Sequence, residues 1–322
     1  MPTTSKRAFI PGVPNHVYQI SSDCGVIFYD ESDYLVCLSI IFTAASRHGV
    51  VISALCVMIN HIHIQAGCRT REGLSAFEAD FTSCFTRLYN ARHRRSGPLF
   101  RNPFGSAPKA SKFDIMDNYV YICNNPVVKY LCQTAEDYRW NLCAYLFSDH
   151  PFSQRFRYTD ASKSLLAARQ RIKGLKARGQ HLSYDSVDFY RRSLSLQEWR
   201  QLSDFIVVTY MDIDNSRIIS LYGDRSTMFN AVHSSRGKEN DLNEVSGGKD
   251  YRPYYRMLET FHQMTCRTGK CCPGPYPLDE KQKMRLAYAF ANGTGASIWQ
   301  IAAFLHLPYE QLRANLRFNR WQ

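Results

Sequence analysis

The chain has 322 residues, 45% hydrophobic and 21% charged, proportions that belong to a globular protein and exclude a largely disordered one. Forty Lys and Arg against 28 Asp and Glu give a formal charge of +12, which attracts polyanions whatever the fold, nucleic acid first among them. No apolar run approaches the roughly 18 residues of a membrane span, and the first residues lack the layout of a secretion signal, so the expectation is a cytoplasmic, nucleoid-associated protein.

In chain order, residues 16–20 alternate as a strand does, and residues 21–25 read as a turn. Residues 33–48 place Leu35, Leu38, Ile41, Phe42 and Ala45 at helical spacing, with Gly49 as the stop. Residues 50–65 are rich in β-branched side chains and predict one long strand or two joined by a bend. A second helix starts near Gly73, carries Leu74, Phe77, Phe81, Phe85 (or Cys84) and Leu88 on one stripe, and ends in the basic run Arg92-His93-Arg94-Arg95. Residues 98–109 look extended, and residues 113–125 form a helix that Pro126 should terminate. The order predicts an α+β fold with helices packed on an antiparallel sheet.

Beyond residue 150 the pattern changes. Residues 160–205 carry two amphipathic helical stretches, and residues 235–253 form a polar, glycine-containing linker. Three helical patterns follow between residues 279 and 317, interrupted at Asn292-Gly293 and Leu307-Pro308, and the last two have the layout of a helix-turn-helix. In that reading Tyr309, Gln311, Arg313 and Arg317 face a DNA groove. The division is residues 1–150 as a catalytic domain, 151–275 as a helical extension and linker, and 276–322 as a DNA-binding module. Most of the eleven cysteines read as thiols; Cys266, Cys271 and Cys272 with His262 resemble a metal cluster, but at a spacing that matches no familiar zinc pattern.

The stretch MINHIHIQ, residues 58–65, holds the chemistry. On a strand, His61, His63 and Gln65 project from one face and Ile62 and Ile64 from the other. Two crowded imidazoles inside an apolar strand suit metal ligation, provided a third ligand comes from elsewhere. Asn125 is the candidate, since it closes the helix of NYVYICNNPV and shares a helix face with Tyr121 four residues earlier.

Four ordered blocks, CVMINHIHIQ, YNARHRRSGPLFRNPF, YVYICNNPV and AEDYRWNLCAY, resemble the single-tyrosine HUH transposases, and most closely the REP-associated tyrosine transposases, over residues 8–147. The resemblance implies a ferredoxin-like antiparallel sheet with helices, the HUH endonuclease core. It implies His61, His63 and Asn125 as ligands of a divalent cation, Mg²⁺ or Mn²⁺, and Tyr121 as nucleophile in a 5′-phosphotyrosine intermediate on single-stranded DNA near hairpins. Ile59 stands where that family usually has proline, and Val128-Lys129 replaces its usual Arg-Ala. Like its self-contained members, the chain is expected to act as a monomer.

Residues 81–130 hold eight Lys or Arg against two Asp, a local charge of +6. Arg87, Arg92, Arg94, Arg95, Arg101 and Lys112 are therefore the expected DNA contacts, with Tyr89, Phe100 and Phe104 as stacking rings. Two other functions compete: a DNA-binding regulator that no longer cuts, and a metal-dependent nuclease in which water attacks and Tyr121 is structural.

Overall fold

The computed structural model describes residues 8–234, 250–266 and 272–318. Its first part runs β1 (Asn15–Ile20), α1 (Glu31–Arg47), β2 (Val51–Val57), β3 (His61–Gly67), α2 (Arg71–His93), β4 (Gly105–Pro108) and α3 (Lys112–Val128). The strands form one antiparallel sheet in the order β2-β3-β1-β4. The fold is α+β.

Local chemistry sets these elements. A capping box between Asp30 and Asp33 starts α1, and Thr70 caps α2 by accepting from the Gly73 N–H, each satisfying donors that have no partner within the helix. The predicted long strand folds back on itself as a hairpin at Met58, Ile59 and Asn60, where the Met58 N–H donates to the His61 carbonyl at 2.8 Å. The apolar stripe of α2 is Leu74, Phe77, Phe81, Phe85 and Tyr89, all buried. Leu88, placed on that stripe by its spacing, is only half-buried.

Alternation divides the sheet into two faces. Val17, Ile62 and Ile64 supply core to the face beneath α1 and α2, while α3 crosses the other face, against β2 and β3. Helix α3 runs through Pro126 to Val128 rather than ending at Asn125. A proline in the final turn removes only one helical hydrogen bond, and the turn survives because Lys129 N–H still reaches Asn125 O.

The remaining helices are α4 (Lys163–Ala177), α5 (Tyr184–Ser193), α6 (Leu196–Tyr210), α7 (Ser216–Tyr222), α8 (Arg225–Ser234), α9 (Arg252–Thr265), α10 (Glu280–Gly293), α11 (Ile298–Leu305) and α12 (Tyr309–Phe318). Helices α5 and α6 pack on α1, so residues 160–205 hold three helical segments where two were expected. Most of the expected linker lies outside the described residues. No helix among the described residues is long and apolar enough to cross a membrane.

The C-terminal helices are pinned to the loop between β1 and α1. His306, the left-handed residue ending α11, bonds Asp23 Oδ2 (2.6 Å), Tyr29 Oη (2.8 Å) and Val26 O (3.1 Å). The close approach requires glycine at position 25: a Cβ there would lie 2.5 Å from His306 Cε1 and 2.9 Å from the Ala303 carbonyl.

The cysteine cluster reading fares differently. His262 Nε2 bonds the Tyr29 carbonyl at 3.0 Å, Cys272 is a free thiol, Cys266 is disulfide-bonded, and Cys271 lies outside the described residues. Among the described residues nine cysteines are free thiols.

Candidate active site

Register brings an aromatic cluster together on the α3 face of the sheet. Tyr18 pairs with His63 and His16 with Gln65 across β1 and β3, so His16, Tyr18, His61 and His63 share that face. The His16 and His63 rings stack with centroids 5.2 Å apart, and Tyr18 lies 4.9 Å from His63 and 5.6 Å from His61.

Of the pair, His61 has one ring nitrogen hydrogen-bonded and His63 has both. His61 Nδ1 lies 2.6 Å from Asn60 Oδ1 and donates to it, which fixes the tautomer and turns a lone pair outward on Nε2. That Nε2 is buried beside the Asn125 side chain and makes no well-formed hydrogen bond. His63 Nδ1 meets His16 Nε2 at 3.0 Å, and His63 Nε2 accepts from Asn125 Nδ2 at 3.0 Å. Asn125 Oδ1 is likewise buried and makes no well-formed hydrogen bond. Leaving such an atom unsatisfied costs roughly 1–3 kcal/mol, so two in adjoining side chains need an explanation.

Electrostatics keeps both imidazoles neutral. Burial, reinforced by the charge of Lys129, pushes His61 down to about 3. Burial and then the neighbouring His61, His16 and Lys129 push His63 well below the usual histidine range. A neutral imidazole is the form that binds a metal. Among the described residues no group of three or more His, Cys, Asp or Glu side chains is arranged to hold a metal ion; the donors gathered here are two imidazoles and an amide.

Helix α3 is stapled across this face at two points. Gln65 Nε2 donates to Asn118 Oδ1 (2.9 Å) and to the Ile115 carbonyl (3.0 Å), and Asn125 reaches His63. Asn118, Tyr121 and Asn125 lie three and four residues apart, on one stripe. Tyr121 therefore sits between the staples, its ring 5.4 Å from His63 and 5.5 Å from His16, edge-on to both. It is half-buried, whereas His61 and His63 are 3% and 0% exposed. One chain supplies the histidines and the tyrosine together.

Among solved structures, the chain is similar to a REP-associated tyrosine transposase bound to a REP hairpin, with 14% identity and a TM-score of 0.38 over 50% of this chain and 95% of that one. So distant a likeness carries no weight beside the geometry of the site. No family model and no curated protein matches the chain.

The expected DNA-contact residues divide. Arg92 is drawn inward: its guanidinium pairs with Asp30 (2.7 Å) and Asp188 (2.5 Å), lies over the Tyr184 ring and is 12% exposed. It is a strut between α1, α2 and α5, and its commitment to two carboxylates corrects the expectation that it faces DNA. Arg95 is half-committed, donating to Asn90 and to the Pro98 carbonyl and covering the Tyr276 ring. Arg87 and Arg101 are exposed on a groove of about 860 Å³ between α2 and residues 97–104, which Phe100 and Phe104 also line. Gln19, in the same groove, projects from β1 opposite to Tyr18, so this groove and the histidines occupy opposite faces of the sheet. Tyr89 is fully buried and unavailable for stacking on bases. Arg94 and Lys112 are exposed. Arg313 faces Glu310 at 3.7 Å, and the Arg317 side chain lies outside the described residues.

Sequence reasoning missed three members of the site. His16 follows the same alternation as Tyr18, and a histidine placed two residues before an aromatic on a neighbouring strand was the available signal. Asn60 orients His61. Tyr251 closes the site from the N-cap of α9, its ring 6.2 Å from His61 and its hydroxyl 3.4 Å from Asn60 Oδ1, with Lys129 Nζ 5.1 Å above the ring. No local pattern in the sequence announces that contact across 191 residues.

Proposed function

We propose that this chain is a single-stranded DNA transposase or endonuclease that cuts and rejoins strands near hairpins through Tyr121. The observation that carries the reading is the seating of the Tyr121 ring against His63 beside two buried metal-type donors that make no well-formed hydrogen bond, His61 Nε2 and Asn125 Oδ1. Element order β-α-β-β-α-β with strand order β2-β3-β1-β4 supports a ferredoxin-like core. The sharp turn at His306 between α11 and α12 supports the helix-turn-helix reading of the C-terminal module.

The donor set fits a divalent cation: Nε2 of His61, Nε2 of His63 and Oδ1 of Asn125 would hold Mg²⁺ or Mn²⁺. When bound, the ion supplies charge that polarises a phosphoryl oxygen. The remaining work belongs to the chain. Asn60 and His16 fix the two imidazole tautomers, as partners of metal ligands commonly do. Asn125 would present Oδ1 once its amide nitrogen releases His63 Nε2. Tyr251 and Lys129 exclude water from His61, and Lys129 adds a positive charge beside the site. The Tyr121 phenolic oxygen attacks phosphorus, the bond to the 3′-oxygen breaks and that oxygen leaves as a 3′-hydroxyl, while the 5′-phosphate stays on the tyrosine. The reverse attack by a 3′-hydroxyl rejoins the strand without a nucleotide cofactor.

An adduct assay decides among the readings. Short single-stranded hairpin DNA, incubated with the protein and Mn²⁺, should yield a covalent species on denaturing gels that Tyr121→Phe abolishes. Cleavage that survives Tyr121→Phe would favour a water-using nuclease. Binding with neither cleavage nor adduct would favour a regulator. Self-containment of the site in one chain supports a monomer, which sedimentation tests.

A further inference from the structure

Away from the histidine cluster, a second set of reactive groups lies on the outer side of α2. Cys84 Sγ sits 3.4 Å from His181 Nε2, and His181 Nδ1 is 2.8 Å from the Leu182 carbonyl. A carbonyl oxygen only accepts, so Nδ1 carries a proton and Nε2 is the nitrogen that takes one from the thiol. Arg87, one turn further along α2, brings its Nη2 to 3.9 Å from the same sulfur. Both Cys84 and His181 are half-buried, so reagents reach them from solvent. A nucleophile, a base hydrogen-bonded to it and a third group orienting the base form the arrangement that activates a cysteine.

We infer that Cys84, His181 and Arg87 form an activated-thiolate site that takes small hydroperoxides and is oxidised to the sulfenic acid. His181 accepts the thiol proton, and the sulfur attacks the terminal oxygen of the hydroperoxide. An S–O bond forms and the O–O bond breaks. The departing oxygen takes the proton back from His181 and leaves as water or an alcohol. Sulfur loses two electrons and the peroxide gains them, so no further reductant or oxidant enters.

The charged and titratable groups around the sulfur agree with that role. Cys84 is held below the usual thiol range, first by the hydrogen bond from His181, against burial, and then by Arg87. His181 is held above the usual histidine range, first by its bond to Cys84. Burial drives other free thiols the opposite way: Cys132 is pushed up to about 12, and Cys272 is raised. The site is independent of the DNA chemistry proposed above, and its neighbour Arg87 borders the groove between α2 and residues 97–104.

The test uses the full chain, freed of reductant. Iodoacetamide labelling followed by peptide mass spectrometry gives the alkylation rate of each thiol across pH. An ordinary thiol with pKa about 8.5 is only about 3% ionised at pH 7, so Cys84 should react about tenfold faster than Cys24, Cys132 or Cys272. Its rate should also level off at a lower pH than theirs. His181→Gln should erase that advantage and move the profile upward, and Arg87→Gln should move it by a smaller amount. With one equivalent of hydrogen peroxide and dimedone present, the dimedone adduct should form first on Cys84. Equal alkylation rates in the wild-type protein would overturn the inference even if His181→Gln failed to fold. So would a profile unchanged in that variant, or a dimedone adduct that appears elsewhere first.

Discussion

Gly25→Ala probes how firmly the C-terminal helices are fixed to the sheet. The added Cβ would stand 2.5 Å from His306 Cε1, 2.7 Å from His306 Nδ1 and 2.9 Å from Ala303 O, distances at which something must move. The carbonyl is backbone of α11 and His306 is held by Asp23, Tyr29 and Val26, so neither yields freely. Overpacking of this kind costs about 1–3 kcal/mol, and expelling the imidazole forfeits hydrogen bonds worth about 0.5–1.5 kcal/mol each. A total of about 2–4 kcal/mol corresponds to a fall in Tm of about 3–6 °C for a chain of 322 residues. The assay is thermal unfolding of Gly25→Ala, His306→Ala and the double variant. Because His306→Ala removes the two closest clashes, alanine at position 25 should cost at least about 1 kcal/mol less in that background, a coupling expected of residues in contact. Strict additivity, or a Gly25→Ala protein with unchanged Tm, would refute the docking geometry at His306.

Other contacts carry outcomes of their own. Mn²⁺ should raise the Tm of the wild-type and Tyr121→Phe proteins alike, by about 2.7 kcal/mol of stabilisation at a hundredfold excess over Kd, and should leave His61→Ala unmoved; differential scanning fluorimetry reads all three. Arg92→Ala should destabilise the fold by about 3–5 kcal/mol, because it leaves Asp30, 8% exposed, without its closest cation; denaturant titration measures this, and a loss confined to DNA affinity would contradict the strut role. For Asp23, burial works to raise the carboxyl, but the hydrogen bond and charge of His306 together with backbone N–H bonds outweigh it and hold the group at about 2. A depressed carboxylate stabilises the fold above its ordinary pKa near 4 and loses that contribution as pH falls towards 2. Acid titration of Asp23→Asn should therefore show a shallower decline over that window than the wild type.

Much of the fold was legible from residue order because the signals are local. The stripe of α2, the breaks around α11 and the alternation through His61 and His63 each reflect a period or a punctuation that needs no knowledge of tertiary contacts. Tyr121 and Asn125 could be set on one helix face by counting alone. What escaped depends on distant partners. Arg92 looked like part of a solvated basic run, and Asp30 and Asp188, 62 and 96 residues away, turn it inward. Tyr251 joins the site from 191 residues beyond Asn60. Pro126 misled because its penalty is small in a final turn, where few bonds remain to be lost.

The two staples of α3 carry a mechanical consequence. Gln65 holds the helix near Asn118 and His63 holds it at Asn125, so the segment that carries Tyr121 is tied to the sheet at both ends. In a strand exchange built on this site the protein side of the bond is stationary. Under the proposed chemistry the incoming DNA end would have to be delivered to Tyr121, and selection of that end would fall to whatever surface presents the nucleic acid.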